Sequence, residues 1–125
     1  MNLLHGEITK NIIGAAFEVY NELGYGFLEK VYQRAMQVEL IKRGHKAELE
    51  TLIQVYYKNV CVGDYKSDIW VDNRIIVELK VAPKYNPKDE AQILHLLKAT
   101  RVKVGLLINF GKEKVEFDRF IYTKH

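Results

Sequence analysis

The chain has 125 residues, 48% of them hydrophobic and 28% charged, which fits one domain spanning residues 1–125 and excludes most multidomain enzymes. This composition is that of an ordinary globular protein and not of a disordered or collagen-like chain. The net charge of +3 is too small to demand a polyanion partner, but residues 1–79 carry an acidic excess of two and residues 80–125 a basic excess of five, a polarity able to steer a phosphate backbone toward carboxylates.

In chain order, Ile8, Ile12, Ala15, Ala16, Val19 and Leu23 recur at helical spacing, and Gly24 and Gly26 follow where a helix stops. A second helical pattern covers residues 28–43, with Leu28, Val31, Tyr32, Ala35, Met36 and Leu40 on its apolar side and Gly44 at its end. From Leu49 the period becomes two, through Thr51, Ile53, Val55 and Tyr57. Further strands are expected at 60–62, 65–71 and 74–81, separated by turns at Gly63-Asp64 and Asp72-Asn73. Residues 89–100 read as a helix, and 103–109 and 115–122 as two more strands. The predicted order is ααββββαββ: an α/β sandwich with helices flanking one central mixed sheet, because the late helix is a crossover able to bring the next strand alongside in parallel.

Cys61 is the only cysteine, so no intramolecular disulfide is expected, and a buried thiol in a reducing cytoplasm is the reading. Apolar runs such as 104–110 are far short of the ~20 residues that cross a bilayer, and the first seven residues lack a secretion-signal pattern. His5, His45, His95 and His125 are dispersed, and none is assigned a catalytic role. The Gly24-Tyr25-Gly26 run follows a helix and has Glu29 where a dinucleotide fingerprint needs its third glycine.

Two residues look out of place. In the apolar run at 75–81, Glu78 and Lys80 are two apart and share one face of the strand, while Val77, Leu79 and Val81 fill the other. Asp68 lies in the preceding strand, across the Asp72-Asn73 turn. A strict two-residue loop would set Asp68 opposite Val77; a three-residue loop, or a bulge, would set it opposite Glu78. Two carboxylates at contact distance repel unless one is protonated or a cation lies between them. All-oxygen donors suit Mg²⁺ or Mn²⁺ better than zinc. Without such a site, the same residues read as a solvated strand edge.

Asp68, nine intervening residues and then Glu78-Leu79-Lys80 resemble the core of the PD-(D/E)XK nuclease superfamily. The run 26–32, Gly-Phe-Leu-Glu-Lys-Val-Tyr, resembles the signature of the GxxExxY proteins within it. The blocks at 77–80, 90–92, 97–100 and 104–111 are similar to that family's in the same order. The resemblance implies a restriction-endonuclease-like fold. It also implies Asp68, Glu78 and, from the second helix, Glu29 as metal ligands for Mg²⁺ or Mn²⁺, with Lys80 as the catalytic lysine. Gln92 would be a catalytic or substrate-holding residue, and Tyr32, one turn beyond Glu29, would orient it or contact substrate. Leu96 and Lys66 stand where many relatives carry an aromatic residue and an arginine.

The expectation is therefore a metal-dependent nuclease acting on phosphodiester bonds, in DNA before RNA. The alternatives are a catalytically inactive nucleic-acid-binding module and a protein-interaction module, each retaining the fold, with a homodimer among the expected assemblies.

Overall fold

The helical stripes read from the sequence fold as expected in the computed structural model, which describes residues 3–124; Met1, Asn2 and His125 lie outside the described residues. Helix α1 (Gly6–Leu23) buries Ile12, Ala15, Ala16 and Val19, and helix α2 (Glu29–Lys42) buries Tyr32, Met36 and Leu40. Between them Gly24 and Gly26 take φ of 69° and 119°, conformations that cost a side-chain-bearing residue far more than glycine.

Strands β1 (Ala47–Tyr57) and β2 (Val60–Val71) form a long antiparallel hairpin. Its turn is Lys58-Asn59, both at positive φ, as a two-residue hairpin loop requires. The expected turn at Gly63-Asp64 is absent, since both residues pair within β2, opposite Val55 and Gln54. The segment at 60–62 is therefore not a strand of its own, and the order is ααβββαββ. Gly-Asp is the stronger turn dipeptide by composition, but pairing with β1 carries through both residues and outweighs that local preference; the irregularity beside them is only a one-residue register shift, between Val55 and Tyr56. Cys61, expected to be buried, is exposed on this hairpin.

Strand β3 (Ile75–Lys80) pairs antiparallel with β2, and strand β4 (Val104–Phe110) pairs parallel with β3. Helix α3 (Lys88–Thr100) makes the crossover, and strand β5 (Val115–Ile121) closes a five-stranded mixed sheet in the order β1-β2-β3-β4-β5. All seven residues of β4 and the first five of β3 are buried, as central strands covered on both faces must be. One face carries Ile69, Val77, Leu79, Leu106 and Ile108 against α1 and α2. The other carries Ile76 against Leu97 of α3. Gly105 sits under α3, where an added Cβ would lie 3.0 Å from Ile93, so its bare backbone sets how closely this helix approaches the sheet.

Candidate active site

The face covered by α3 is the one on which Glu78 and Lys80 alternate with Ile76. The β2–β3 pairs run Val71↔Ile75, Trp70↔Ile76 and Ile69↔Val77, leaving Asp72, Asn73 and Arg74 as a three-residue loop. Asp72 and Asn73 both have positive φ. Asp72 anchors the loop, accepting the Lys46 N–H at 2.8 Å and lying 2.7 Å from His45 Nδ1. Carried one step further, this register sets Asp68 across from Glu78, the parity that a shared site requires.

At Asp68 the ladder is interrupted on both sides. Pairing with β1 steps from Leu49↔Ile69 to Thr51↔Ser67, with Glu50 at a φ of 52° between them, and pairing with β3 ends at Ile69↔Val77. Side chains serve the backbone groups instead. The Asp68 N–H donates to Glu78 Oε2 at 3.4 Å, and its carbonyl accepts from Gln33 Nε2 of α2 at 2.8 Å. The Asp68 carboxylate in turn accepts the Leu79 N–H at 2.8 Å. Asp68 is thereby tied to α2 and to the Glu-x-Lys strand at once.

Glu29, Tyr65, Asp68, Glu78, Lys80 and Gln92 line one cleft of about 130 Å³. Glu78 is buried at 7% exposure, and the Tyr65 hydroxyl donates to its Oε1. Burial, then the charge of Asp68, pushes the Glu78 carboxyl up to about 8; the Tyr65 hydrogen bond pulls the other way. Glu29, the first residue of α2, is exposed but partly desolvated by the cleft. That desolvation raises its pKa, the Asp68 charge adds to the rise, and Lys80 opposes it. Tyr65 is raised by burial and then by its bond to Glu78. After Lys80 the chain is held by Asn109, whose side-chain amide makes two 3.0 Å hydrogen bonds with the backbone of Ala82.

Of the residues singled out in the sequence, Glu29, Asp68, Glu78, Lys80 and Gln92 thus share the cleft, Gln92 from an exposed position on α3. Tyr32 does not. It is fully buried, stacks on Phe110 at 4.5 Å between centroids, and donates its hydroxyl to the Gly24 carbonyl at 2.5 Å. The expected substrate contact is corrected: Tyr32 is a core residue that fastens the glycine turn from which Glu29 enters the cleft. Sequence reading missed Gln33 and Tyr65. Simple alternation puts Tyr65, three residues before Asp68, on the opposite face, and only the break in the ladder lets it reach Glu78.

A divalent ion fits the donor chemistry of this cleft: hard oxygen ligands, one of them, Glu78, raised first by burial and then by the charge of Asp68, a repulsion that a cation between the two carboxyls relieves. Among the described residues, however, no group of three His, Cys, Asp or Glu side chains is drawn together as a finished metal-binding cluster. Glu78 is instead occupied by Tyr65 and by the Asp68 N–H.

A mixed sheet with facing carboxyls on β2 and β3 and a lysine at the end of β3 defines an α/β protein with an acidic cleft lined in part by α3. The chain belongs to the PD-(D/E)XK nuclease superfamily, whose profile matches residues 6–120. It is similar in fold to the crystal structure of SSO0001, with a TM-score of 0.57 and 15% identity over 97% of this chain and 60% of that one. This chain thus spans 60% of the length of SSO0001. A second likeness, to the alkaline exonuclease LHK-Exo from Laribacter hongkongensis, has a TM-score of 0.45 and 11% identity over 98% of this chain and 73% of that one. No curated protein matches the chain.

Proposed function

We propose that the protein is a metal-dependent nuclease of the GxxExxY type, acting as one domain on phosphodiester bonds in DNA, with Mg²⁺ or Mn²⁺ as cofactor. The observation that carries this reading is that Asp68 and Glu78, in contact across β2 and β3, share a single cleft with Lys80. Asp68 and Glu78 would hold the ion, with Glu29 completing the acidic set. When bound, it would supply Lewis-acid polarisation of a phosphoryl oxygen and a lowered pKa for water.

The chain's own residues have distinct tasks. The Lys80 ammonium stabilises the negative charge that grows on the phosphoryl oxygens in the transition state. Gln92, projecting from α3, donates its amide to a phosphate oxygen and holds the substrate strand over the carboxyls. Tyr65 keeps Glu78 Oε1 oriented by hydrogen bonding, and Gln33 keeps the Asp68 backbone in place.

The test is cleavage of DNA and RNA with Mg²⁺ and Mn²⁺ by wild type, Asp68→Ala and Lys80→Ala. Loss of about 100-fold or more in each variant is expected, and cleavage untouched by both substitutions overturns the reading. The occupied state of Glu78 favours one alternative, a catalytically silent nucleic-acid-binding module. It predicts steeply salt-dependent binding and no turnover with either metal.

A further inference from the structure

A second cleft lies on the same sheet face, at the opposite end of α3. It measures about 470 Å³, and its lining includes His5, Tyr56, Trp70, Arg74, Arg101 and Lys103. No Asp or Glu is among its lining residues. The nearest acid in sequence, Asp72, is turned to His45 and the Lys46 N–H. Arg74 and Lys103 form no ion pair among the described residues. The Arg101 guanidinium stacks 4.5 Å from the Tyr56 ring centroid and donates to Asn59 Oδ1, so it is fixed against the hairpin. By contrast, the cleft beside Pro83 mixes its lysines with Glu113 and Glu116.

We propose that this cleft holds a nucleotide unit of a nucleic-acid strand, with the base against Trp70 and Tyr56 and the phosphate among Arg74, Arg101 and Lys103. Cations without carboxylate partners attract a phosphate, and aromatic rings beside them accept a base by stacking, at ~1–3 kcal/mol per base. The local field agrees: the His5 imidazole is pushed down by burial and then by the charges of Arg74, Arg119 and Lys103. Trp70 is two residues from Asp68 on β2, and its pair partner Ile76 is two from Glu78 on β3. Along α3 the span from Gln92 to Arg101 is roughly 13 Å, so a strand in this cleft continues toward the acidic one. The inference goes beyond the catalytic reading, because binding here needs neither metal nor turnover.

Trp70 is the only tryptophan in the chain, and its fluorescence reports on this cleft directly. The experiment titrates the full chain with a short oligodeoxythymidylate, thymidine monophosphate or inorganic phosphate in EDTA, where cleavage is silent. Expected is quenching by the oligonucleotide that weakens about tenfold in Arg74→Ala/Lys103→Ala and is retained in Arg74→Lys/Lys103→Arg. The slope of log K against log salt should fall in magnitude by about 1.4, the share of two phosphate contacts on a single strand. Binding is measured with no metal present, which separates this site from catalysis in the acidic cleft. An unchanged affinity and slope in the alanine pair, absence of quenching, or equal affinity for thymidine monophosphate and the oligonucleotide overturns the proposal.

Discussion

The side-chain amide of Gln33 donates to the main-chain carbonyl of Asp68 at 2.8 Å, so a buried helix residue holds a strand backbone at the point where the sheet ladder lets it go. Gln33→Ala leaves that carbonyl without its partner. A loss of about 1–3 kcal/mol is expected, read by urea unfolding. Because Asp68 also positions the Leu79 N–H, nuclease activity should fall by more than the population of unfolded protein explains.

Glu78 gives the metal-free protein a distinctive pH dependence. Its folded pKa, about 8, stands above the ordinary 4.5, so the native state keeps a proton that the unfolded chain has released. Stability from this group is fully present below about pH 4.5 and is lost as pH rises through about 8. Glu29 is shifted in the same direction. Urea denaturation in EDTA should therefore show stability falling between pH 5 and 8.5, by an amount on the order of a few kcal/mol. Glu78→Gln should flatten that fall. If the proposed site takes Mg²⁺, the ion favours the ionised carboxyls, and its addition should raise the melting temperature more at pH 8 than at pH 6.

Tyr65→Phe removes the hydroxyl that donates to Glu78 Oε1. That bond favours the ionised carboxylate, so its loss should raise the Glu78 pKa further and shift the metal-dependent activity profile to higher pH. Mg²⁺ titration of the variant at pH 7 should show weaker apparent affinity, by about tenfold. An unshifted profile would mean that Tyr65 packs against Glu78 without tuning it.

Gly105→Val places a branched side chain against Ile93 and Leu97, where even a Cβ meets atoms at 3.0 and 3.2 Å. Overpacking of this kind costs about 1–3 kcal/mol, visible in thermal unfolding. Since α3 carries Gln92, the variant should also show a raised KM for nucleic acid at temperatures where it remains folded.

Much of the architecture was legible in the chain because it rests on periodicity. The apolar stripes of α1 and α2 and the uninterrupted apolar run of β4 each reflect a local rule about which face meets the core. The misreading at Gly63-Asp64 shows the limit of such rules. Turn composition is a local preference, whereas the hairpin register at Lys58-Asn59 is set by every pair along two long strands.

The amino-acid order by itself determined that Glu78 and Lys80 share a face, that a helix long enough for a parallel crossover follows their strand, and that Asp68 could meet Glu78 only with an odd loop or a bulge. Those consequences follow from the two-residue repeat of a strand and the handedness of a crossover. Only the tertiary structure decided that the loop has three residues, that Tyr32 faces the core while Glu29 reaches the cleft, and that Gln33 and Tyr65 serve the two acids. It also brought Trp70 and Arg74 to the end of α3 beside Arg101 and Lys103. Such contacts join residues far apart in the chain, and their geometry depends on where the ladder breaks and how closely a helix settles on the sheet, neither of which a local pattern encodes.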